Sequence, residues 1–293
     1  NLRKLNIEVE LLCIMEGVFT EEAREMGIPV TIIPQEKRWD LSVLSKVKKF
    51  INNCGCDLVH CHGARANYIS LFIRGGVKVP MITTLHSDYK LDFKDNPRKQ
   101  LIYTPINAFA LRRYKHILAV TKAFKYMLML RGFKEERIDV IYNGIDFSQE
   151  LQTYDMYTFF KNINVPHDLN KKYVGIAARL FAVKGVNVFL DMAKIIADKR
   201  EDIDFIILGN GEMWQQCQGF IKENKLENRV YMAGQGTDPV MMNSYYKYID
   251  VNTLTSYSES FPYALLEGAR CKCATVATAV GGIPEMIIDG ESG

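Results

Sequence analysis

Two glutamates separated by seven residues, Glu259 and Glu267, lie either side of a Phe-Pro in the stretch SYSESFPYALLEGAR, Ser256 to Arg270. Proline suits the first position of a helix, where its missing N–H is not needed. Ser260, Phe261 and Pro262 are therefore expected at a helix start. Backbone N–H groups without intrahelical partners gather at such a point and favour an anion. Glu259 stands just before it, and Glu267 about one and a half turns inside, roughly 8 Å further along the axis. A carboxylate is a poor phosphate ligand but a good acceptor from hydroxyl groups. The pattern fits a diphosphate at the helix start with a hydroxyl-bearing ring on each side. That is the chemistry of a nucleotide sugar, with one carboxylate for the ribose and one for the transferred sugar. The plainer alternative is a Glu259 that compensates the helix dipole and a Glu267 that is simply solvated.

Cations that could meet such a diphosphate occur in AARLFAVKGVNVFLDMA. Arg179 falls at the carboxyl end of an expected strand, and Lys184-Gly185 precedes an expected helix. A forked guanidinium, an ammonium and free backbone N–H groups form a good diphosphate clamp, although solvated loop charges explain the same residues when taken alone. In FIILGNGEMW an expected strand runs into Gly209-Asn210-Gly211, where glycine lets the backbone approach a ligand. The spacing is not G-x-G-x-x-G, so a dinucleotide reading is weak and a tight turn is the simpler account. One Asp-x-Asp string, Asp202-Ile203-Asp204, falls at the start of a strand, the end opposite this chemistry, and reads as a solvated turn. With two cations and a helix dipole to neutralise a diphosphate, no metal is expected.

The elements that must carry these residues follow from periodicity. The chain has 293 residues, 48% hydrophobic and 24% charged, which suits two soluble domains. Short β-branched runs alternate with helical-period segments, the mark of parallel sheets covered by helices. Strands are expected near residues 8–14, 30–34, 58–61, 81–85, 116–120 and 138–142, with helices between them. Residues 144–168 lose periodicity and read as a linker. The alternation then restarts with strands near 173–177, 205–208, 230–232, 251–254 and 275–278. Two doubly wound, Rossmann-like domains, 1–143 and 169–293, are thus expected to face a central cleft, with ligands at the carboxyl ends of their strands.

Charge is uneven. Residues 1–143 hold 23 Lys and Arg against 15 Asp and Glu, and the remainder hold 14 against 19. A basic half suits an anionic partner or scattered solvated lysines; nucleic acid is not among the expected partners. Thr121–Lys134, TKAFKYMLMLRGFK, reads either as an interfacial helix on anionic lipid or as a core-facing helix with solvated lysines. Seven cysteines, an odd number, with no visible signal peptide, suggest reduced thiols and a cytoplasmic protein, with peripheral contact at the inner membrane face as an expectation. Cys54, Cys56, Cys61 and His62 have the wrong spacing for a zinc clamp. No apolar run approaches the roughly 18 residues of a membrane span. The chain opens at Asn1 without Met and closes on IIDGESG, and is read as a fragment lacking both ends.

Taken in order, VHCHGARAN, TTLHSD, YNGID, ARLFAVKG, LGNGE, ESFPYALLEGA and ATVATAVGGIPEMIIDGESG resemble the retaining glycosyltransferases of family 4 (group 1), of the two-Rossmann-domain GT-B type. The resemblance covers nearly the whole chain. It implies a hexosyl-transferring enzyme with a nucleotide-sugar donor, a UDP-sugar being expected, and no further cofactor. It implies that Glu267 holds the ribose and Glu259 the sugar hydroxyls, that Arg179 and Lys184 hold the diphosphate, and that the backbone of Ser260, Phe261 and Pro262 meets sugar and phosphate. Gly209 and Gly211 would border the donor, Gly234 would line the base pocket, and His86 would reach the donor sugar. A sugar or lipid-linked acceptor in envelope or exopolysaccharide synthesis is expected. The family's glycine-rich loop would precede Asn1 and its last helices would follow Gly293; CKC, Cys271–Cys273, replaces smaller residues. A nucleotide-sugar epimerase of the same fold and a non-catalytic sugar-nucleotide binder remain as alternatives.

Overall fold

Strand and helix alternate because apolar residues recur every second position in short β-branched runs and every third or fourth position between them. The computed structural model of the chain describes residues 2–35, 40–91, 96–236 and 238–293. The first series is β1 (Leu11–Cys13), α1 (Val18–Glu25), β2 (Val30–Ile32), α2 (Ser42–Asn53), β3 (Val59–His62), α3 (Gly63–Ile73), β4 (Met81–Leu85), α4 (Pro97–Arg113), β5 (His116–Ala119), α5 (Lys122–Leu130) and β6 (Ile138–Val140). The second is α6 (Met156–Asn162), β7 (Lys172–Ala177), α7 (Val186–Ala197), β8 (Ile203–Leu208), α8 (Trp214–Glu223), β9 (Val230–Met232), α9 (Pro239–Tyr248), β10 (Val251–Leu254), α10 (Tyr263–Arg270) and β11 (Ala274–Ala277).

Two compact units result. Asn1–Leu85, Tyr89–Leu118 and Glu136–Asp139 form the first; His86–Asp88, Ala119–Glu135 and Val140–Gly293 form the second. The chain therefore does not divide at a single point near residue 143. Strands of the first series fall into a parallel pair, β1-β2, and a four-stranded sheet in the order β3-β4-β5-β6. Ile33, just after β2, joins Val43, Val47 and Ile51 of α2 and Ile69 and Ile73 of α3 in the apolar core of the first unit.

The second unit is built on a five-stranded sheet in the order β11-β10-β7-β8-β9, parallel throughout. Strand β8, between β7 and β9, is apolar on both faces, as a strand covered by helices on each side must be. Phe205 and Ile207 join a core with Val186, Phe189 and Leu190 of α7 and Cys217 and Ile221 of α8. Ile206 and Leu208 point the other way, into a core with Met241, Tyr245 and Tyr246 of α9.

That second core also contains Phe159, Phe160, Ile163 and Val165. The stretch expected as a linker thus carries a helix, α6, capped by the Asp155 side chain, which accepts from Thr158 N–H at 2.9 Å. Its seven residues are too few for helical periodicity to show in the sequence, and the aromatic pair is what fixes it. Asp202-Ile203-Asp204 is likewise more than a solvated turn. Asp204 is buried at the amino end of β8 and accepts from Arg229 Nε at 2.8 Å and Lys171 Nζ at 3.2 Å. Asp202 is held by Arg200, whose guanidinium brings its pKa down to about 2. These carboxylates are committed to ion pairs at the end of the sheet away from the candidate chemistry.

Phe159 is fully buried. Replacing it with Ala is expected to destabilise the second unit by about 3–5 kcal/mol, measured by denaturant unfolding; a loss below about 1 kcal/mol would return residues 154–165 to a linker.

Candidate functional site

In the second sheet the chain runs β7, β8, β9 in one direction, then returns to set β10 on the other side of β7. The winding therefore reverses between β7 and β10, and open α/β sheets bind ligands at the carboxyl ends of the strands beside such a reversal. Residues 178–185 follow β7 and residues 255–262 follow β10. The two loops are bonded together. Tyr257 N–H donates to the Val183 carbonyl at 2.9 Å, and the Thr255 hydroxyl donates to the Gly185 carbonyl at 2.9 Å. A Cβ on Gly185 would lie 2.0 Å from the Thr255 carbonyl oxygen, so only glycine fits there.

Lys184 and Glu259 meet across these loops. The Lys184 ammonium donates to Glu259 Oε1 at 2.6 Å, and the buried Ser256 hydroxyl donates to the same oxygen at 2.6 Å. The side chains are 20% and 7% exposed, so the pair is largely withdrawn from water. Sequence placed one residue on a diphosphate and the other on a sugar; the structure brings both to one point. Arg179, on the same loop as Lys184, is exposed, with its guanidinium carbon 5.5 Å from the centre of the Phe181 ring.

The helix start differs by one residue from the expected one. Pro262 is the N-cap of α10, with an extended backbone, and Tyr263 is the first helical residue. Ser260 and Phe261 precede it. The Ser260 carbonyl accepts from Gly282 N–H at 2.9 Å. Gly281, at φ +58°, lies so close that a Cβ would sit 1.7 Å from the Glu259 carbonyl oxygen. Phe261 is buried with its ring 5.0 Å from that of Tyr142, and its carbonyl accepts from Asn143 Nδ2 at 2.9 Å. Glu267 sits half-buried in α10 near Tyr246. Burial first, and then the Glu267 charge, hold the Tyr246 phenol far above its usual pKa.

Gly209 and Gly211 approach backbone rather than open space. A Cβ on Gly209 would lie 1.8 Å from the Ala178 carbonyl oxygen, and one on Gly211 would lie 2.5 Å from that of Leu180. Gly209 N–H donates to the Gly234 carbonyl at 2.6 Å, and Leu180 N–H to the Asn210 carbonyl at 2.9 Å. These glycines let the loops after β7, β8 and β9 stack, which sequence reads only as freedom to approach a ligand. An open hollow beside the stack is lined by Ala182, Asn187, Glu212, Met213, Gln216 and Tyr257; none of the expected site residues lines it.

His86 follows β4 and is exposed, with enough protein around it that desolvation lowers its pKa below 6.5. The turn carrying it is tied to α5 by Asp88, which accepts from both terminal nitrogens of Arg131 at 2.6 and 2.7 Å. Among the described residues no group of three or more His, Cys, Asp or Glu is arranged to hold a metal ion. Ser256, Tyr142, Asn143 and Glu285 were not singled out by sequence, although YNGID and GGIPE contain the last three.

Residues 1–149 match the family model described as Glycosyltransferase Family 4, and residues 159–293 match Glycosyl transferases group 1. The chain belongs to the group 1, family 4 glycosyltransferases. An uncharacterized glycosyltransferase of Methanocaldococcus jannaschii is 27% identical to it over 249 residues, 84% of this chain and 62% of that protein. The chain thus spans less than two thirds of that relative. The N,N'-diacetylbacillosaminyl-diphospho-undecaprenol alpha-1,3-N-acetylgalactosaminyltransferase of Campylobacter jejuni is 25% identical over 294 residues, 94% of this chain and 74% of that one. The crystal structure of Anabaena HepE with UDP-glucose superposes with a TM-score of 0.77 at 22% identity, covering 95% of this chain and 75% of that one. The glycosyltransferase fold is thereby shown for this member.

Two outcomes test the site's construction. Gly281→Ala forces a side chain into the left-handed region against the Glu259 carbonyl and is expected to cost about 1–3 kcal/mol, read by thermal unfolding; an unchanged midpoint would refute the packing. The fold favours neutral His86, so below pH 6.5 the unfolded chain takes up a proton that the folded chain resists. Stability is expected to fall as pH drops through the window that opens just below 6.5, and His86→Gln should flatten that slope in denaturant titrations across it.

Proposed function

We propose that this glycosyltransferase moves a sugar from a nucleotide diphosphate sugar to a hydroxyl acceptor, with retention at the anomeric carbon and without a metal ion. The observation that carries the reading is the meeting of Lys184 and Glu259 at the point where the second sheet reverses direction. Arg179, Lys184 and the N-terminus of α7 would take the diphosphate, which concentrates charge where the leaving group develops it. An ammonium carries three donors, and the contact with Glu259 uses one. A carboxylate carries about four acceptor sites. Lys184 and Ser256 use two of them at Oε1, and a sugar hydroxyl would use another. Glu267 would accept from the ribose hydroxyls.

In this scheme the bond between the anomeric carbon and the diphosphate oxygen breaks as the acceptor oxygen bonds the same carbon from the same face. The acceptor's proton passes to the departing diphosphate, so atoms and charge balance without an enzyme nucleophile. Neutral His86 would donate or accept a hydrogen bond at the sugar. A UDP-sugar donor is supported by the UDP-glucose that HepE binds. A sugar or lipid-linked acceptor, as in envelope or exopolysaccharide synthesis, is supported by the diphospho-undecaprenol named for the Campylobacter relative and by the basic balance of residues 1–143.

Thermal shift with UDP, GDP, ADP and dTDP in EDTA should show one nucleotide that raises the midpoint of the natural chain and does so less for Glu267→Ala. With an acceptor in hand, Glu259→Gln should lose about 100-fold in kcat while nucleotide binding persists. No response to any nucleotide, or a response only with divalent metal, would sink this reading.

A further inference from the structure

Glu285 lies in a short 3-10 turn, Ile283–Glu285, well apart in sequence from every residue assigned to the donor. Its carboxylate nonetheless accepts three hydrogen bonds. Oε2 accepts from Lys122 N–H at 2.9 Å and Oε1 from Ala123 N–H at 2.8 Å. These are the first two N–H groups of α5, and Thr121 serves the third residue, accepting from Phe124 N–H at 2.9 Å. A carboxylate at this point satisfies orphan donors and meets the positive end of the helix dipole. Tyr142 adds a third bond, its hydroxyl donating to Oε2 at 2.8 Å. This bond to the carboxylate raises the Tyr142 pKa and keeps the phenol protonated.

Each partner of Glu285 leads to the candidate site. The Tyr142 ring packs on Phe261 at 5.0 Å, and the neighbouring Asn143 donates to the Phe261 carbonyl. Gly282, three residues before Glu285, donates to the Ser260 carbonyl, and Gly281 abuts the Glu259 carbonyl. The nine residues of α5 span about 14 Å at about 1.5 Å each. Its far end is the Arg131 cap, which grips Asp88 two residues after His86. One helix thus connects the turn bearing His86 to the loop bearing Glu259, Ser260 and Phe261, and Glu285 fastens the near end.

We infer that Glu285 is a positioning residue: through α5 and Tyr142 it fixes the His86 turn and the 259–261 backbone as one frame for the sugar half of the donor. The inference rests on the donor reading proposed above. It separates two parts of that donor. Arg179, Lys184 and Glu267 would hold the nucleotide and share no hydrogen bond or ion pair with Glu285, whereas the sugar would meet residues that Glu285 aligns. A role in folding alone would weaken nucleotide and nucleotide sugar together; a positioning role weakens only the increment that the sugar adds.

The test is calorimetric titration of the natural chain, Glu285→Gln and Tyr142→Phe with UDP, UDP-glucose and UDP-N-acetylglucosamine, with circular dichroism to confirm folding. Glutamine keeps the shape but loses the charge and one acceptor oxygen. The natural chain should bind one UDP-sugar more tightly than UDP. Glu285→Gln should lose that preference by about tenfold while its Kd for UDP stays within about twofold. Tyr142→Phe removes one hydroxyl from a residue 41% exposed and should lose part of the preference, which keeps the test open if Glu285→Gln fails to fold. If both variants retain the sugar preference, or lose UDP and UDP-sugar affinity in equal measure, the positioning role is overturned and the donor reading stands. If the natural chain binds no UDP ligand, both fall.

Discussion

An ammonium and a carboxylate withdrawn from water are tolerable only as a pair, because each alone would carry an uncompensated desolvation penalty of several kcal/mol. Lys184 and Glu259 meet that condition across 75 residues of sequence, and meeting it dictates much of the second unit's upper edge. The loops after β7 and β10 must abut, so Gly185 has to pass against the Thr255 carbonyl and Tyr257 has to bond Val183. Once Glu259 is fixed, Ser260, Phe261 and the start of α10 are fixed with it. Gly281 and Gly282 then close behind them with no room for a side chain.

The two ends of the same sheet show how position decides what a charge is for. At the amino end Asp204 is buried between Lys171 and Arg229, and Asp202 is clasped by Arg200. These pairs hold strands and turns together and leave no carboxylate for a ligand. At the carboxyl end Arg179 stays exposed and Lys184 shares one donor with Glu259. The strand order supplies the reason: open α/β sheets take ligands at the carboxyl ends of their strands, beside the point where the winding reverses, and the amino ends are free to be closed by ion pairs.

Support for the site reaches well beyond the residues that would touch a donor. Phe159 and Phe160 of α6 pack under the face of the sheet that also receives Tyr246, the neighbour of Glu267. α5 is held at its N-terminus by Glu285 and at its C-terminal cap by Asp88. A charge that satisfies a helix end from far away in sequence fixes the helix relative to another loop as well as capping the helix itself.

Alternating periodicity was enough to determine the order of strands and helices, with Met81–Leu85, Val230–Met232 and Val251–Leu254 recovered to the residue. The types and spacing of Arg179, Lys184, Glu259 and Glu267 were enough to suggest donor chemistry, since charge type and helix position are local properties. What sequence could not supply were facts about distance. Gly209 and Gly211 read as openings for a ligand, yet they accommodate the Ala178 and Leu180 carbonyls. Residues 144–168 read as a linker because a seven-residue helix is too short to show a period, and only burial of its aromatic pair reveals it. The pairing of Lys184 with Glu259, and the reach of Glu285 to Lys122 over 163 residues, depend on which loops the strand order brings together. Local chemistry is written residue by residue; adjacency is created when the sheet reverses its winding, and only the folded chain contains it.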